Sequence, residues 1–266
     1  MMNKKSKLSE NDLYLSFKSF SLIMLLGGKD IRQRYKRSAI GPFWITISMA
    51  VMIATMGIVF ANLFKTNVKE FLPYLTLGII TWSYIMGSIT EGCDALISSE
   101  GIIKQLPIPL CVHIIKVLWK NFIVFLHNII IFPFVLIFLK VPINWSILLV
   151  LPGLLLLAIN LVWILVLISL VCARFRDMGQ IIASLMQVIF YLTPVIWMPK
   201  LLTHHIGIQL LQFNPFYHFI NIVRSPLLGV VPDVNSYIVT SLMAIIGISI
   251  SAMVISKFKY KIPYWV

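Results

Sequence analysis

Long apolar runs alternate with short polar connections through most of this chain. Residues at about 43–64, 73–93, 118–139, 146–172, 179–199 and 237–256 are dominated by Leu, Ile, Val, Phe and Met. Each run approaches or exceeds the roughly 20 residues that a helix needs to cross a bilayer. The pattern predicts an all-α polytopic membrane protein with six transmembrane helices. Pro133 lies inside the third run, Pro142 precedes the fourth, Pro152 lies within it, and Pro194 sits near the end of the fifth. Membrane helices tolerate such prolines where neighbours satisfy the freed carbonyls.

Before the first run the pattern changes. Phe17, Phe20, Met24, Ile31 and Tyr35 fall on one face of a helix, and Lys29, Arg32 and Lys36 on a neighbouring face. Such a helix lies in the membrane interface, with aromatics in the acyl boundary and cations at the phosphates. Gly27-Gly28 is a candidate hinge. Gly41-Pro42 turns the chain inward, and Pro42 suits a first helical turn. This divides residues 1–266 into a tail and interface helix (1–41), six spans (42–256) and a second tail (257–266), all one domain.

Two connections are too elaborate for plain loops. Between spans two and three, Asp94 to Leu106 has helical character, with Glu100 and Lys104 one turn apart. Pro107 and Pro109 end it. Between spans five and six, 200–236 is apolar but broken by Asn214-Pro215, Ser225-Pro226 and Gly229. Asn214 caps and Pro215 opens a helix running to about Arg224. Broken apolar segments of this kind re-enter the membrane, line a cavity, or form an interfacial hairpin.

Composition supports the membrane reading: the chain is 59% hydrophobic and 12% charged, with mean hydropathy +0.94. The net charge of +13 does not point to nucleic acid, because the cations sit at the ends of the apolar runs. They set orientation instead. With residues 1–37 inside, the inner segments hold 17 Lys and Arg and the outer ones 5. That asymmetry places both termini in the cytoplasm. The three cysteines, Cys93, Cys111 and Cys172, then lie on the cytoplasmic side and form no disulfide framework.

Chemistry that would drive transport is not visible. Gly27-Gly28-Lys29-Asp30 lacks the remaining residues of a phosphate-binding loop. The nine acids, Glu91 and Asp94 included, avoid the span centres, so no proton relay is apparent. Asn121, His127, Asn128, Asn160 and Gln187 are more often glue between helices than a site. His204-His205 is too small a set for a metal. The chain is expected to be a path driven by something else, and not an enzyme.

Five stretches together resemble the membrane subunits of ABC type 2 exporters of lipid-linked polysaccharide, which serve O-antigen, capsule and teichoic acid. They are Lys29-Asp-Ile-Arg-Gln-Arg-Tyr-Lys-Arg-Ser-Ala-Ile-Gly-Pro-Phe-Trp44, Leu106-Pro-Ile-Pro-Leu110, Ala173-Arg-Phe-Arg-Asp-Met-Gly-Gln180, Tyr191-Leu-Thr-Pro-Val-Ile-Trp197 and Asn214-Pro-Phe-Tyr-His-Phe219. They occur in the family's order. The resemblance implies a homodimer in the bacterial inner membrane with two copies of a separate cytoplasmic ATPase. That partner would bind ATP and Mg, and no cofactor is expected in this chain. The substrate would be a polysaccharide on undecaprenyl diphosphate. The resemblance also implies a cytoplasmic coupling helix and an outer re-entrant segment. Coupling to the ATPase would fall to Ser98, Ser99, Glu100, Lys104, Arg174, Arg176 and Asp177. An outer gate would fall to Asn214, Pro215, Phe216 and Tyr217.

The residues fit these expectations. Aromatic rings stack on the C–H faces of sugars, which makes Trp44, Trp82, Tyr84, Tyr191 and Trp197 candidates for a channel lining; for any one of them the aromatic belt found at both membrane interfaces is the more usual explanation. Arg32, Arg34, Tyr35, Lys36 and Arg37 form a candidate substrate-access helix, since arginines attract a diphosphate. Anionic membrane lipid accounts for the same charges. Competing readings are an ABC exporter of drugs or small lipids and a membrane-embedded transferase acting on lipid-linked sugars. The latter would need an acid or histidine cluster, hinted at only by Glu91/Asp94 and His204/His205.

Overall fold

The structure, a computed structural model, describes residues 12–36, 41, 43–140, 144–201 and 211–266. Every regular element among them is helical. In chain order these are α1 (Asp12–Lys18), α2 (Phe20–Tyr35), α3 (Phe43–Leu63), α4 (Val68–Cys93), α5 (Glu100–Gln105), α6 (Leu110–Ile129), α7 (Ile131–Leu139), α8 (Val150–Arg174), α9 (Met178–Leu192), α10 (Pro215–Leu227), α11 (Val234–Phe258) and α12 (Ile262–Trp265). Short 3₁₀ turns precede α5 and α8.

Among the described residues, five segments are long and apolar enough to cross a membrane: α3, α4, α6 with α7, α8 with the turn before it, and α11. The expected fifth span differs. α9 has 15 residues, or about 22 Å of helix. It stops at Thr193 because a residue that precedes proline is pushed out of the α region, and Thr193 is extended (φ −93°, ψ 137°). The expected third span, at 118–139, begins eight residues earlier at Leu110. Lys116 lies before the expected start and Lys120 just after it. Both are accommodated inside the helix because carboxylates on neighbouring helices meet them. α6 and α7 meet at a break at Ile130, where Pro133 cannot donate to the Ile129 carbonyl.

α4 is the hub. It is the least apolar of the five yet buried along most of its length. Small residues explain this, because they let neighbouring backbones approach closely. A methyl on Gly78 would stand 2.7 Å from the Val195 carbonyl oxygen. α8 meets α10 in the same way: a methyl on Gly153 would stand 2.3 Å from the Ile222 oxygen. Asn160 joins α8 to α11, donating to Thr240 O at 3.0 Å and accepting from Trp163 Nε1 at 3.0 Å. Asn128 accepts from Thr46 Oγ1 at 3.3 Å and so joins α6 to α3. Gln187, by contrast, lies exposed on α9.

The N-terminal segment is two helices, broken at Ser19 and continuous through the expected Gly27-Gly28 hinge. Gly27 instead marks where α2 lies on α6, since a methyl there would stand 3.0 Å from Trp119 Cδ1. Ile23 is fully buried in that contact, while Phe20 and Met24 on the expected apolar face stay exposed.

Candidate functional site

Contacts define two ends of the bundle. At the basic end α1, α5, the start of α6, the end of α8 and α12 come together. α5 forms as expected and stops before Pro107. Its Lys104 Nζ lies 2.5 Å from Glu100 Oε1. That hydrogen bond and charge hold the Glu100 carboxyl below its usual range, and Arg176 adds to the effect. Ser98 is exposed, whereas Ser99 is buried and donates to Ala95 O at 2.9 Å. Arg174, Arg176 and Asp177 are exposed at the end of α8 and just beyond it. These two connections are joined by residues that the sequence pattern did not single out. Trp265 lies 5.6 Å from the Arg174 guanidinium, and the Val266 carbonyl accepts from Lys104 Nζ at 2.9 Å.

α2 rests on α6 beside this end, with Asp30 3.4 Å from Lys116. Arg32 and Lys36 point to the surface. Arg34 and Tyr35 occupy the last turn of α2, and their side chains lie outside the described residues, as do Arg37, His204 and His205. Glu91 on α4 pairs with Lys120 at 2.8 Å and accepts from Asn121 Nδ2 at 2.6 Å. Glu91 and Asn121 edge a cavity of about 290 Å³ between α3, α4 and α6, which Tyr84 and Asn128 also line.

A larger groove, about 660 Å³, opens between α3, α4 and α9. Met49, Met52 and Met56 form one wall, Trp82 and Met86 the floor, and Gln180, Ser184 and Gln187 the other wall. Gln180, Ser184, Gln187 and Tyr191 follow one another at helical spacing and are all exposed. Trp44 is exposed at the start of α3. Of the other aromatic candidates, Trp82 is buried between Phe190 and Phe216, at 5.5 and 5.8 Å. Tyr84 is buried against Phe122 and Phe125. Trp197 is half-buried and donates to Tyr191 O at 3.2 Å.

At the opposite end α10 packs inside the bundle. Asn214 caps it, accepting from Phe216 N at 3.0 Å and donating to Thr193 Oγ1 at 2.9 Å. Pro215 opens it. Phe216 reaches Trp82, about 21 Å along α4 from its start at 1.5 Å per residue. Arg224 meets Tyr74, only about 9 Å along α4. The helix therefore runs from mid-bundle outward. Tyr217 lines a cavity of about 340 Å³ with His218, Asp233 and Asn235. Arg224, counted in the sequence as an outer flanking cation, is buried. It donates to Pro194 O at 2.7 Å and stacks 3.8 Å from the Tyr74 ring centre. The Tyr74 hydroxyl donates to Pro194 O at 3.0 Å. No carboxylate pairs with Arg224 among the described residues. Nothing in the sequence pattern distinguished it from the other flanking cations.

A hub helix surrounded by long apolar helices, with polar clusters at both ends, defines a multi-pass membrane protein. Residues 21–228 match the ABC-2 type transporter family, and the chain belongs to it. It is 22% identical over 256 residues to an O-antigen export system permease protein RfbA of Klebsiella pneumoniae, covering 91% of this chain and 93% of the relative. A second RfbA of Klebsiella pneumoniae is 22% identical over 74% of this chain and 76% of its own length. One from Myxococcus xanthus is 21% identical over 66% of this chain and 68% of its own.

Proposed function

We propose that this chain is the permease subunit of an ATP-driven exporter that carries polysaccharide on undecaprenyl diphosphate, O-antigen above all, across the bacterial inner membrane. Two copies enclose the path, and each binds one copy of a separate ATPase at the basic, cytoplasmic end. The chain makes six crossings, with α9 and the turns after it as the fifth and α10 as an outer re-entrant helix. The observation that carries the reading is the polar stripe on α9. Three amides and hydroxyls in a row, followed by Tyr191, lie exposed on a helix at membrane depth. Polar groups facing hydrocarbon are unfavourable. Such a stripe fits a watery path in which amides exchange hydrogen bonds with hydroxyls, and Tyr191 and Trp44 offer stacking faces to sugar rings. The Met wall suits a variable apolar load, because its side chains are unbranched and adaptable.

At the cytoplasmic end, α5 and the turn after α8 receive the ATPase, while Arg32 and Lys36 meet the diphosphate or anionic lipid. The test is co-reconstitution with the ATPase in liposomes. Lipid-linked glycan is expected to stimulate hydrolysis, and Gln187→Leu with Tyr191→Ala is expected to reduce glycan delivered without loss of assembly. Stimulation by drug-like amphiphiles alone, with glycan inert, would overturn the reading. A separate arm asks about coupling: Glu100→Ala should leave hydrolysis running but lower export, and normal export would remove α5 from the ATPase contact.

A further inference from the structure

α5 poses a mechanical problem. It has six residues, none of them buried, and leads into the extended link Leu106-Pro107-Ile108-Pro109. A helix of that length has no stability of its own. A push from a partner would bend it rather than move the spans unless something braced it. Its principal neighbour beyond its own connection is α12.

The segment 259–266, which contains α12, is built into the basic end. Ile262 is fully buried, and Trp265 packs at 5.5 Å against Phe258. The Val266 carbonyl takes a hydrogen bond from Lys104 on α5, and Trp265 lies beneath Arg174 at the end of α8. Lys259 Nζ stands 2.8 Å from Asp12 Oδ1, and Asp12 is almost fully buried. The other oxygen of Asp12 accepts from the Cys111 backbone N–H at 3.1 Å. That N–H belongs to the first turn of α6, where backbone donors lack helical partners and attract negative charge. One short segment thus touches α5, α8 and α1, and through Asp12 it reaches α6.

We propose that residues 259–266 are a coupling strut. They bind α5, the end of α8 and α1 into one unit, so that displacement of α5 is delivered to α6, α8 and the N-terminal helices. Lys259 and Trp265 are its positioning residues, and neither touches substrate. The strut rests on the reading of α5 as the ATPase contact. Without that contact it would be a brace with nothing to transmit.

The experiment uses the full permease–ATPase complex in proteoliposomes with lipid-linked glycan, and reads glycan delivered per ATP hydrolysed. Trp265→Ala and Lys259→Gln are expected to lower that ratio roughly five-fold, within the range that loss of one coupling contact produces. Hydrolysis and co-purification of the ATPase should persist, and Lys259→Arg should restore the ratio. An unchanged ratio in both variants overturns the strut. A second arm does not depend on how well those variants fold. Lys104→Cys with Val266→Cys removes the natural contact, and a short bismaleimide replaces it. The three native cysteines are buried. Cross-linking is expected to raise the ratio; no gain, or a fall, shows that α5 and the segment do not act as one body. If Glu100→Ala is harmless, the ATPase contact itself is misplaced. If Glu100→Ala uncouples while Trp265→Ala does not, only the strut fails.

Discussion

The two ends of the bundle hold charge in different ways. At the basic end each buried or half-buried ammonium has a carboxylate: Lys259 with Asp12, Lys116 with Asp30, and Lys120 with Glu91. All three pairs join separate segments. At the opposite end the one buried cation among the described residues, Arg224, has an aromatic face and a carbonyl instead. The only carboxylate pair described there, Lys200 with Glu70, is exposed. The difference follows from what each place offers. Near the polar boundary, side chains from several helices meet with water close by, so a carboxylate is affordable. Around Arg224 the chain supplies the Pro194 carbonyl, which lies just past the end of α9, and the ring of Tyr74. An arginine suits such a site because its delocalised, weakly hydrated charge stacks and donates at once.

Arg224→Ala should produce the largest loss. It removes a charged hydrogen bond and a desolvated cation–π contact and leaves a void, together about 3–5 kcal/mol. The detergent-solubilised protein should melt roughly 6–15 °C lower. Arg224→Lys should recover only part of this, since the ammonium lacks the flat fork. A shift for Arg224→Ala smaller than that of any basic-end variant would break the contrast.

Asp12→Ala comes next. It takes the Asp12 carboxylate from Lys259 and uncovers the first turn of α6, at about 2–3 kcal/mol by the same melting assay. Asp12→Asn should fall between, because the Cys111 N–H keeps an acceptor. Gly153→Ala sharpens the comparison at the opposite end without touching charge. Its methyl would sit against the Ile222 carbonyl and push α10 away from α8, for about 1–3 kcal/mol. If it melts like the native protein, α10 is not held as closely as described.

The smallest effect belongs to the exposed Glu100–Lys104 pair. Lys104 lowers the Glu100 pKa, so the pair's contribution is complete above the ordinary carboxylate range and disappears as pH falls through the depressed value. Melting curves of native protein and Glu100→Gln should therefore nearly superimpose at neutral pH, within about 1 °C, as is usual for surface pairs. A larger gap at pH 7 would mean that Glu100 supports more than its own helix.

Much of this architecture was written locally. Apolar runs marked the long helices, Asn214-Pro215 marked the cap and start of α10, and Glu100 with Lys104 marked α5. These are short-range effects of hydrophobic length, capping chemistry and helical spacing, and they act wherever the residues occur. Boundaries slipped where a distant partner altered the local rule. Lys116 and Lys120 looked like a flank until Asp30 and Glu91, on other helices, made their burial tolerable. Gly27 looked like a hinge until Trp119 took up its space.

The roles of Arg224, Asp12 and segment 259–266 could be assigned only by the tertiary structure. In the sequence Arg224 and Lys259 are two of many cations beside apolar runs, and Asp12 is one acid near other polar residues. Their character comes from partners far along the chain: Tyr74 and Pro194 for Arg224, Lys259 and Cys111 for Asp12. Periodicity reports which face of a helix is apolar, because neighbours three and four residues apart share a face. It carries no record of which other helix that face will meet. Burial and pairing are decided only when the faces come together, and that is where a flanking charge becomes a buried anchor and eight ordinary residues become a brace.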